Sequence, residues 1–263
     1  MMEKQYYVGI DIGSTCAKTV AVDQGGNVVW RDLRPTGWSS VDTAETVKKT
    51  LAAEGFHIEH CPVVATGYGR VSVPYADKTI TEISCHAKGA MYLQNSENLL
   101  VIDIGGQDTK IICVENGLVK DFVMNDKCSA GTGRFLEVMA NSMALRPDEL
   151  CALAEFGGGV HISSLCTVFA ESEVVSLVGR GEKKENIAYA VVDSIVKKVA
   201  SQVSRIETER MSTCLTGGLC DCEYIRKALG KELHCEIQSQ PNSRFAGAIG
   251  AALTAMSIKG KGE

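Results

Sequence analysis

The sequence predicts an α/β protein built from two related halves, and three observations carry that prediction. Asp11-Ile12-Gly13, at the end of an apolar strand pattern and followed by Lys18, recurs as Asp103-Ile104-Gly105 followed by Lys110. Self-similarity of this kind marks a repeated structural unit. Each copy leads into a second strand, a glycine turn and a third strand, and helical patterns separate these strand groups. At 263 residues with 45% hydrophobic content, the chain is long enough for two domains of modest size, each with its own core.

In order, the first strand enters at Tyr6, and a loop of small residues, Gly13 to Thr15, leads to a strand over Lys18–Val22. Gly25-Gly26 turns the chain into a third strand over Val28–Arg31. Asp42–Ala53 reads as an amphipathic helix, Pro62–Ala65 as a strand and Thr66–Arg70 as the loop after it. Thr81–Leu93 is a helix carrying Glu82, read as a surface or capping carboxylate, and His86, read as a core histidine. The second copy, Leu100–Ile112, turns at Glu115-Asn116-Gly117 into a strand over Leu118–Val123. Beyond it, Phe135, Leu136, Met139 and Met143 recur at helical spacing, which places Cys128 at or just before a helix N-terminus. Free amides and the helix dipole favour a thiolate there. Cys166, between Ser163-Ser164 and Thr167, precedes another apolar pattern with Glu171 and Glu173 in its first turns. Asn186–Glu209 is a long helical pattern expected to connect the domains, and Phe245–Met256 is a Gly- and Ala-rich helix.

Composition narrows the function. A formal net charge of -5, with no basic run beyond pairs such as Lys48-Lys49, argues against nucleic acid and anionic membranes as partners. No apolar run reaches the length of a membrane span. The strand pattern begins too early for a signal peptide, so a cytoplasmic protein is expected. In that compartment the 11 cysteines are thiols rather than disulfides, and no two are spaced as Cys-x-x-Cys. Cys85, Cys113 and Cys151 fall in apolar patterns and read as core residues, while Cys220-Asp221-Cys222, with Cys214 nearby, is the tightest group.

The repeated loops suit a metal-bound polyphosphate. Small residues let backbone amides and hydroxyls approach an anion, and Asp11 and Asp103 at strand ends can hold a metal through water. Neither copy is the Gly-x-x-x-x-Gly-Lys-Ser/Thr loop, because no helix follows at once.

These loops resemble the two phosphate motifs of the actin, hexokinase and Hsp70 superfamily, and Thr216-Gly217-Gly218 after Cys214-Leu215 resembles its adenosine motif. Within the superfamily, Asp103-Ile104-Gly105-Gly106-Gln107-Asp108, Asn125-Asp126-Lys127-Cys128, Ala130–Phe135 and Cys166–Glu173 resemble the ATP-dependent activators of 2-hydroxyacyl-CoA dehydratases. That family includes the ATPase partners of benzoyl-CoA reductases and of double-cubane cluster proteins. The resemblance implies two ribonuclease-H-like domains, taken as residues 1–97 and 98–263, with ATP in the cleft between them and a helix within 244–263 returning to the first. It further implies that Cys128 and Cys166 bind one 4Fe-4S cluster per homodimer. Four thiolates are wanted, so a chain offering two finds the others across a two-fold axis.

On this reading Asp11 and Asp103 hold the water shell of Mg2+, and Gln107 orients the attacking water. Gly13, Ser14, Thr15, Cys16, Ala17 and Lys18 surround the phosphates together with Gly105, Gly106 and Gln107, and Gly217 and Gly218 approach the adenosine. Ferredoxin or flavodoxin is the implied donor, an iron-sulfur dehydratase or double-cubane reductase the implied acceptor, and oxygen sensitivity is expected. One departure is plain: some relatives continue the adenosine motif as Gly-Gly-Val-Ala-x-Asn, whereas this chain has Leu219-Cys220-Asp221-Cys222. The alternatives are a small-molecule kinase of the same superfamily, with Asp103 as base, and a nucleotide-sensing assembly module.

Overall fold

The computed structural model describes residues 5–163, 166–207 and 211–258. Among them, no helix is long and apolar enough to cross a membrane. The chain forms two five-stranded sheets. The first contains β1 (Tyr7–Ile12), β2 (Cys16–Val22), β3 (Val28–Pro35), β4 (Val63–Thr66) and β5 (Lys78–Thr79), in the order β3-β2-β1-β4-β5. The second contains β6 (Leu99–Ile104), β7 (Thr109–Glu115), β8 (Leu118–Asn125), β9 (Ser212–Gly217) and β10 (Ile237–Gln238), in the order β10-β9-β6-β7-β8. Read outward from β1 and from β6, the two orders are the same. The repeat seen in the Asp-Ile-Gly segments therefore extends to whole sheets.

The sequence explains which strands are central. β6, Leu-Leu-Val-Ile-Asp-Ile, is buried throughout, and it runs parallel to β9, as β1 does to β4. Strands covered on both faces read as continuous apolar runs rather than alternating ones. β3 at the sheet edge alternates between half-buried and exposed residues, which suits one solvated face. The two-residue strands β5 and β10 are too short to leave a periodic signal, and the sequence reading has no counterpart for them.

Eight α-helices complete the described chain: α1 (Ser40–Ala53), α2 (Glu82–Gln94), α3 (Gly133–Ser142), α4 (Pro147–Ala154), α5 (Thr167–Gly179), α6 (Lys184–Val203), α7 (Glu223–Glu232) and α8 (Ala246–Ala255). Contacts divide the chain into two compact units. One comprises Met1–Asn98, Val114–Val119 and Gln240–Glu263; the other comprises Leu99–Cys113 and Lys120–Ser239. In the first unit, Val8, Ile10, Ile12, Val47, Leu51 and Val63 form a core under α1, and α8 packs on β1, β2, β4 and α2. In the second, Ile102, Ile104, Phe135, Met139, Leu150, Ile195 and Leu215 form a larger core. Burying each such side chain contributes roughly 1.5–3 kcal/mol.

Two expectations change here. α6 does not connect domains; it lies inside the second unit, where Ile187, Val191, Ile195 and Val199 bury against the core. It ends at Val203, and positions 208 and 209 of the expected span lie outside the described residues. α5 begins at Thr167 with no acid in its first turn. Glu171 and Glu173 therefore act through side-chain bonds rather than through the helix dipole: Ser142 Oγ donates to Glu171 at 3.0 Å, and the Ser163 amide donates to Glu173 at 2.9 Å.

Candidate functional site

In the second unit, β6 and β9 end side by side, with Asp103 opposite Thr216 and Ile104 opposite Gly217. Parallel strand ends of this kind are where α/β sheets bind ligands. The buried Asp103 carboxylate accepts from Thr216 Oγ1 at 3.3 Å and lies 3.4 Å from the Lys110 ammonium. Lys110, only 3% exposed along its side chain, also holds Asp108 at 2.8 Å. The loop between β6 and β7 is closed by the Gly105 amide donating to the Asp108 carbonyl. The Gly218 amide donates to the Ile104 carbonyl at 2.8 Å. Gly217 adopts φ +83°, and a Cβ there would stand 2.4 Å from Asp103 Oδ1. A side chain at that position is barred twice, by strain and by collision. The loop Gly105–Asp108 and the turn Thr216-Gly217-Gly218 thus form one construction.

The first unit repeats it. Asp11, buried at the end of β1, lies opposite Thr66 at the end of β4. Gly67 has φ +89°, a Cβ there would stand 2.6 Å from Asp11 Oδ1, and the Gly69 amide donates to the Ile12 carbonyl at 2.8 Å. The turn Thr66-Gly67-Tyr68-Gly69 is therefore the counterpart of Thr216-Gly217-Gly218. Sequence reasoning took it for an ordinary loop, although Thr-Gly directly after an apolar strand occurs in both halves. Ser14 and Thr15 are exposed, Gly13 and Cys16 are half-buried, and the Gly13 amide donates to the Cys16 carbonyl. The two carboxylates differ in their nearest nitrogen-bearing side chain. Lys110 faces Asp103, whereas His86 Nε2 lies 3.9 Å from Asp11 Oδ2. The half-buried Lys18 lies across the strand pair from Asp11.

Lys110 is the strongest structural tie at this site. Replacing it with Met leaves two carboxylates without their shared cation, and the expected loss is about 3–5 kcal/mol of folding stability. Urea denaturation of Lys110→Met checks this; an unchanged midpoint would show that the ion pairs are inconsequential.

Cys128 sits in the loop between β8 and α3, not at the helix start. α3 begins at Gly133, and its first amides are taken by the glycine loop: Gly133 N–H donates to the Gly105 carbonyl at 2.9 Å and Arg134 N–H to the Gly106 carbonyl at 2.8 Å. The Thr132 hydroxyl donates to the Ser129 carbonyl and does not accept from an α3 amide. Asn125 Nδ2 donates to the carbonyls of Cys128 and Ala130, which fixes the loop. Cys166 is the exposed N-cap residue of α5. The neighbours of the two cysteines meet, since the hydroxyls of Ser129 and Thr167 are hydrogen-bonded at 2.6 Å. Among the described residues, no group of three or more His, Cys, Asp or Glu could hold a metal. Two thiols on adjoining segments fit half of a four-thiolate cluster site, the remainder to come from a second chain. Gln107 is exposed on its loop. Burial pushes the Cys85 and Cys214 thiols up to about 12, as expected of inert core cysteines.

Comparison with known proteins shows which family the chain resembles. The profile of the BadF/BadG/BcrA/BcrD ATPase family matches residues 8–255. The chain is 41% identical over 255 residues to the (R)-2-hydroxyglutaryl-CoA dehydratase activating ATPase of Acidaminococcus fermentans, covering 95% of this chain and 96% of that protein. Among solved structures, the activator of the 2-hydroxyisocaproyl-CoA dehydratase from Clostridium difficile with bound ADPNP matches with a TM-score of 0.89 at 39% identity, over 96% of this chain and 95% of that one. A ROK family glucokinase from Streptomyces griseus matches with a TM-score of 0.62 at 15% identity, over 96% of this chain and all of that one (100%), which shows the shared actin- and hexokinase-type fold alone.

Proposed function

Because the chain belongs to the BadF/BadG/BcrA/BcrD ATPase family, we propose that it is an ATP-hydrolysing iron-sulfur reductase. It passes a low-potential electron to a partner iron-sulfur enzyme, either a 2-hydroxyacyl-CoA dehydratase or a double-cubane protein. Cys128 and Cys166 of two chains hold one 4Fe-4S cluster, which supplies the one-electron carrier. The observation that carries this reading is the bond between Ser129 and Thr167, which draws together the segments bearing the two thiols.

Each remaining residue has a physical task. Asp11 and Asp103 would hold Mg2+ through its water shell, and the segments Gly13–Lys18 and Gly105–Gln107 would surround the phosphates. Gly217 and Gly218, which carry no side chain, let the backbone approach the nucleoside. Gln107 aligns the attacking water through its amide; it has no basic group to accept a proton. Mg2+, when bound, would supply positive charge against the phosphoryl oxygens, and preorganised electrostatics of this kind account for most of the catalysis of phosphoryl transfer. Coupling to the thiols has a short route inside the second unit. The carbonyls of Gly105 and Gly106 anchor the first turn of α3, and the chain just before that turn carries Ser129 and Cys128. A loop drawn toward the γ-phosphate pulls this turn with it. At about 1.4 kcal/mol per 59 mV for one electron, a shift of roughly 300 mV needs about 7 kcal/mol, within reach of one or two ATP.

Ferredoxin or flavodoxin is the donor, and the protein works in the cytoplasm as a homodimer. The test is iron and acid-labile sulfide on protein purified without oxygen, with ATP hydrolysis measured on the same sample. About four irons per two chains are expected. ATP hydrolysis without iron, even after reconstitution, would leave an ATPase and sink the reductase.

A further inference from the structure

His86 reads in the sequence as a core histidine, but its setting in the first unit is more specific than that. The two repeated carboxylates are secured differently. Asp103 accepts from Thr216 Oγ1 and lies 3.4 Å from the Lys110 ammonium. Its counterpart Asp11 is also buried, yet Thr66 Oγ1, across the strand pair, makes no hydrogen bond to it. A buried carboxylate is costly unless another group compensates its charge. Set against its Oδ2 is His86 Nε2, at 3.9 Å, with both side chains almost fully buried. Backbone packing fixes that placement. A Cβ on Gly250 of α8 would collide with the Cys85 carbonyl, and one on Gly89 of α2 would collide with the Ala246 carbonyl. Cys85 and Ala246 directly precede His86 and Gly247, so these contacts bring His86 and Gly247 together. At Gly247 a Cβ would stand 2.6 Å from Asp11 Oδ2 and 2.7 Å from His86 Nε2, and its absence lets imidazole and carboxylate face each other. Gly67 closes the other side, where a Cβ would stand 2.6 Å from Asp11 Oδ1.

We propose that His86 is a positioning residue for Asp11: its imidazole orients the carboxylate toward the water shell of Mg2+ and acts through Asp11 rather than on the nucleotide. The inference rests on the reading that Asp11 serves the metal. At 3.9 Å the pair is too far apart for a hydrogen bond, so the effect is electrostatic, and burial strengthens it. Lys110 does the same for Asp103 with a permanent charge and a second carboxylate, Asp108, in its grip. A group that orients a metal-serving carboxylate raises metal affinity without being a ligand, and losing such a group costs roughly 10- to 100-fold.

The experiment is calorimetric titration of the full-length protein with ADP, with and without Mg2+. It reads the factor by which the metal tightens nucleotide binding, independently of turnover and of iron content. His86→Leu is expected to cut that factor roughly tenfold. His86→Gln, which keeps a side-chain N–H, should retain most of it. In an Asp11→Asn background, adding His86→Leu should change the factor no further, because the imidazole acts through the carboxylate. An undiminished factor in His86→Leu would overturn the proposal and return His86 to the core, whatever the shift in urea midpoint. So would an equal fractional loss from His86→Leu with Asp or with Asn at position 11. Wild-type protein that binds ADP equally well with and without Mg2+ would instead overturn the metal site at Asp11, and the role of His86 with it.

Discussion

Cys166→Ala is expected to yield anaerobically purified protein without iron or acid-labile sulfide, still folded and still binding ATP. Two chains supplying two thiolates each make a complete set, so one substitution removes two of four ligands at once. The fold has little stake in the thiol. Cys166 is exposed at the N-cap of α5 and its side chain makes no capping hydrogen bond there. Lost iron in this variant therefore reports lost ligands rather than unfolding. Cys128→Ala should give the same result, at a small further cost because Cys128 packs against the core. Iron analysis and the visible absorption of the cluster are the measurements, with thermal unfolding as the control. Full iron content in either variant would remove that cysteine from the cluster site.

How much of this was legible in the sequence depends on the range of the interaction. Central strands β1 and β6 and the glycine loops after them were readable because the residues specifying them are neighbours in the chain. Gly217 and Gly218 were readable for the same reason. The start of α3 was not. Ser129 and Thr132 look like capping residues, yet the Thr132 hydroxyl turns back to the Ser129 carbonyl. The first amides of α3 are satisfied by Gly105 and Gly106, far away in sequence. Helix boundaries set by a distant partner leave no local signature. The same holds for Lys110, whose spacing repeats that of Lys18 but whose burial between Asp103 and Asp108 depends on the folded sheet. The Thr66-Gly67-Tyr68-Gly69 turn escaped because its second glycine is one residue later than in Thr216-Gly217-Gly218. α6 escaped because an apolar helical face reads alike whether it spans two domains or fills the core of one.

Gly250→Ala, the smallest possible change, should be among the most damaging in the first unit. A Cβ on Gly250 would lie within bonding range of the Cys85 carbonyl oxygen, in the backbone of α2. Gly89 of α2 and Gly9 of β1 are shut in the same way by the carbonyls of Ala246 and Ala248. α8 therefore touches both neighbours backbone to backbone, and no side-chain rotation can make room. Ala gains about 1 kcal/mol over Gly in helix propensity, but forced separation of packed elements costs about 1–3 kcal/mol and more where backbone must move. The collision wins, and a loss of at least about 3 kcal/mol in urea unfolding is expected. Gly179→Ala at the end of α5, where no atom lies within 4 Å of the added methyl, is the control and should be neutral or slightly stabilising. Equal stability of the two variants would show that α8 can slide on its bed. The functional consequence follows from position. A Cβ on Gly247 of α8 would stand 2.6 Å from Asp11 Oδ2 and 2.7 Å from His86 Nε2. A displaced α8 would thus release the carboxylate proposed to hold the metal's water shell, and weaker Mg2+-dependent ATP binding should accompany the lost stability.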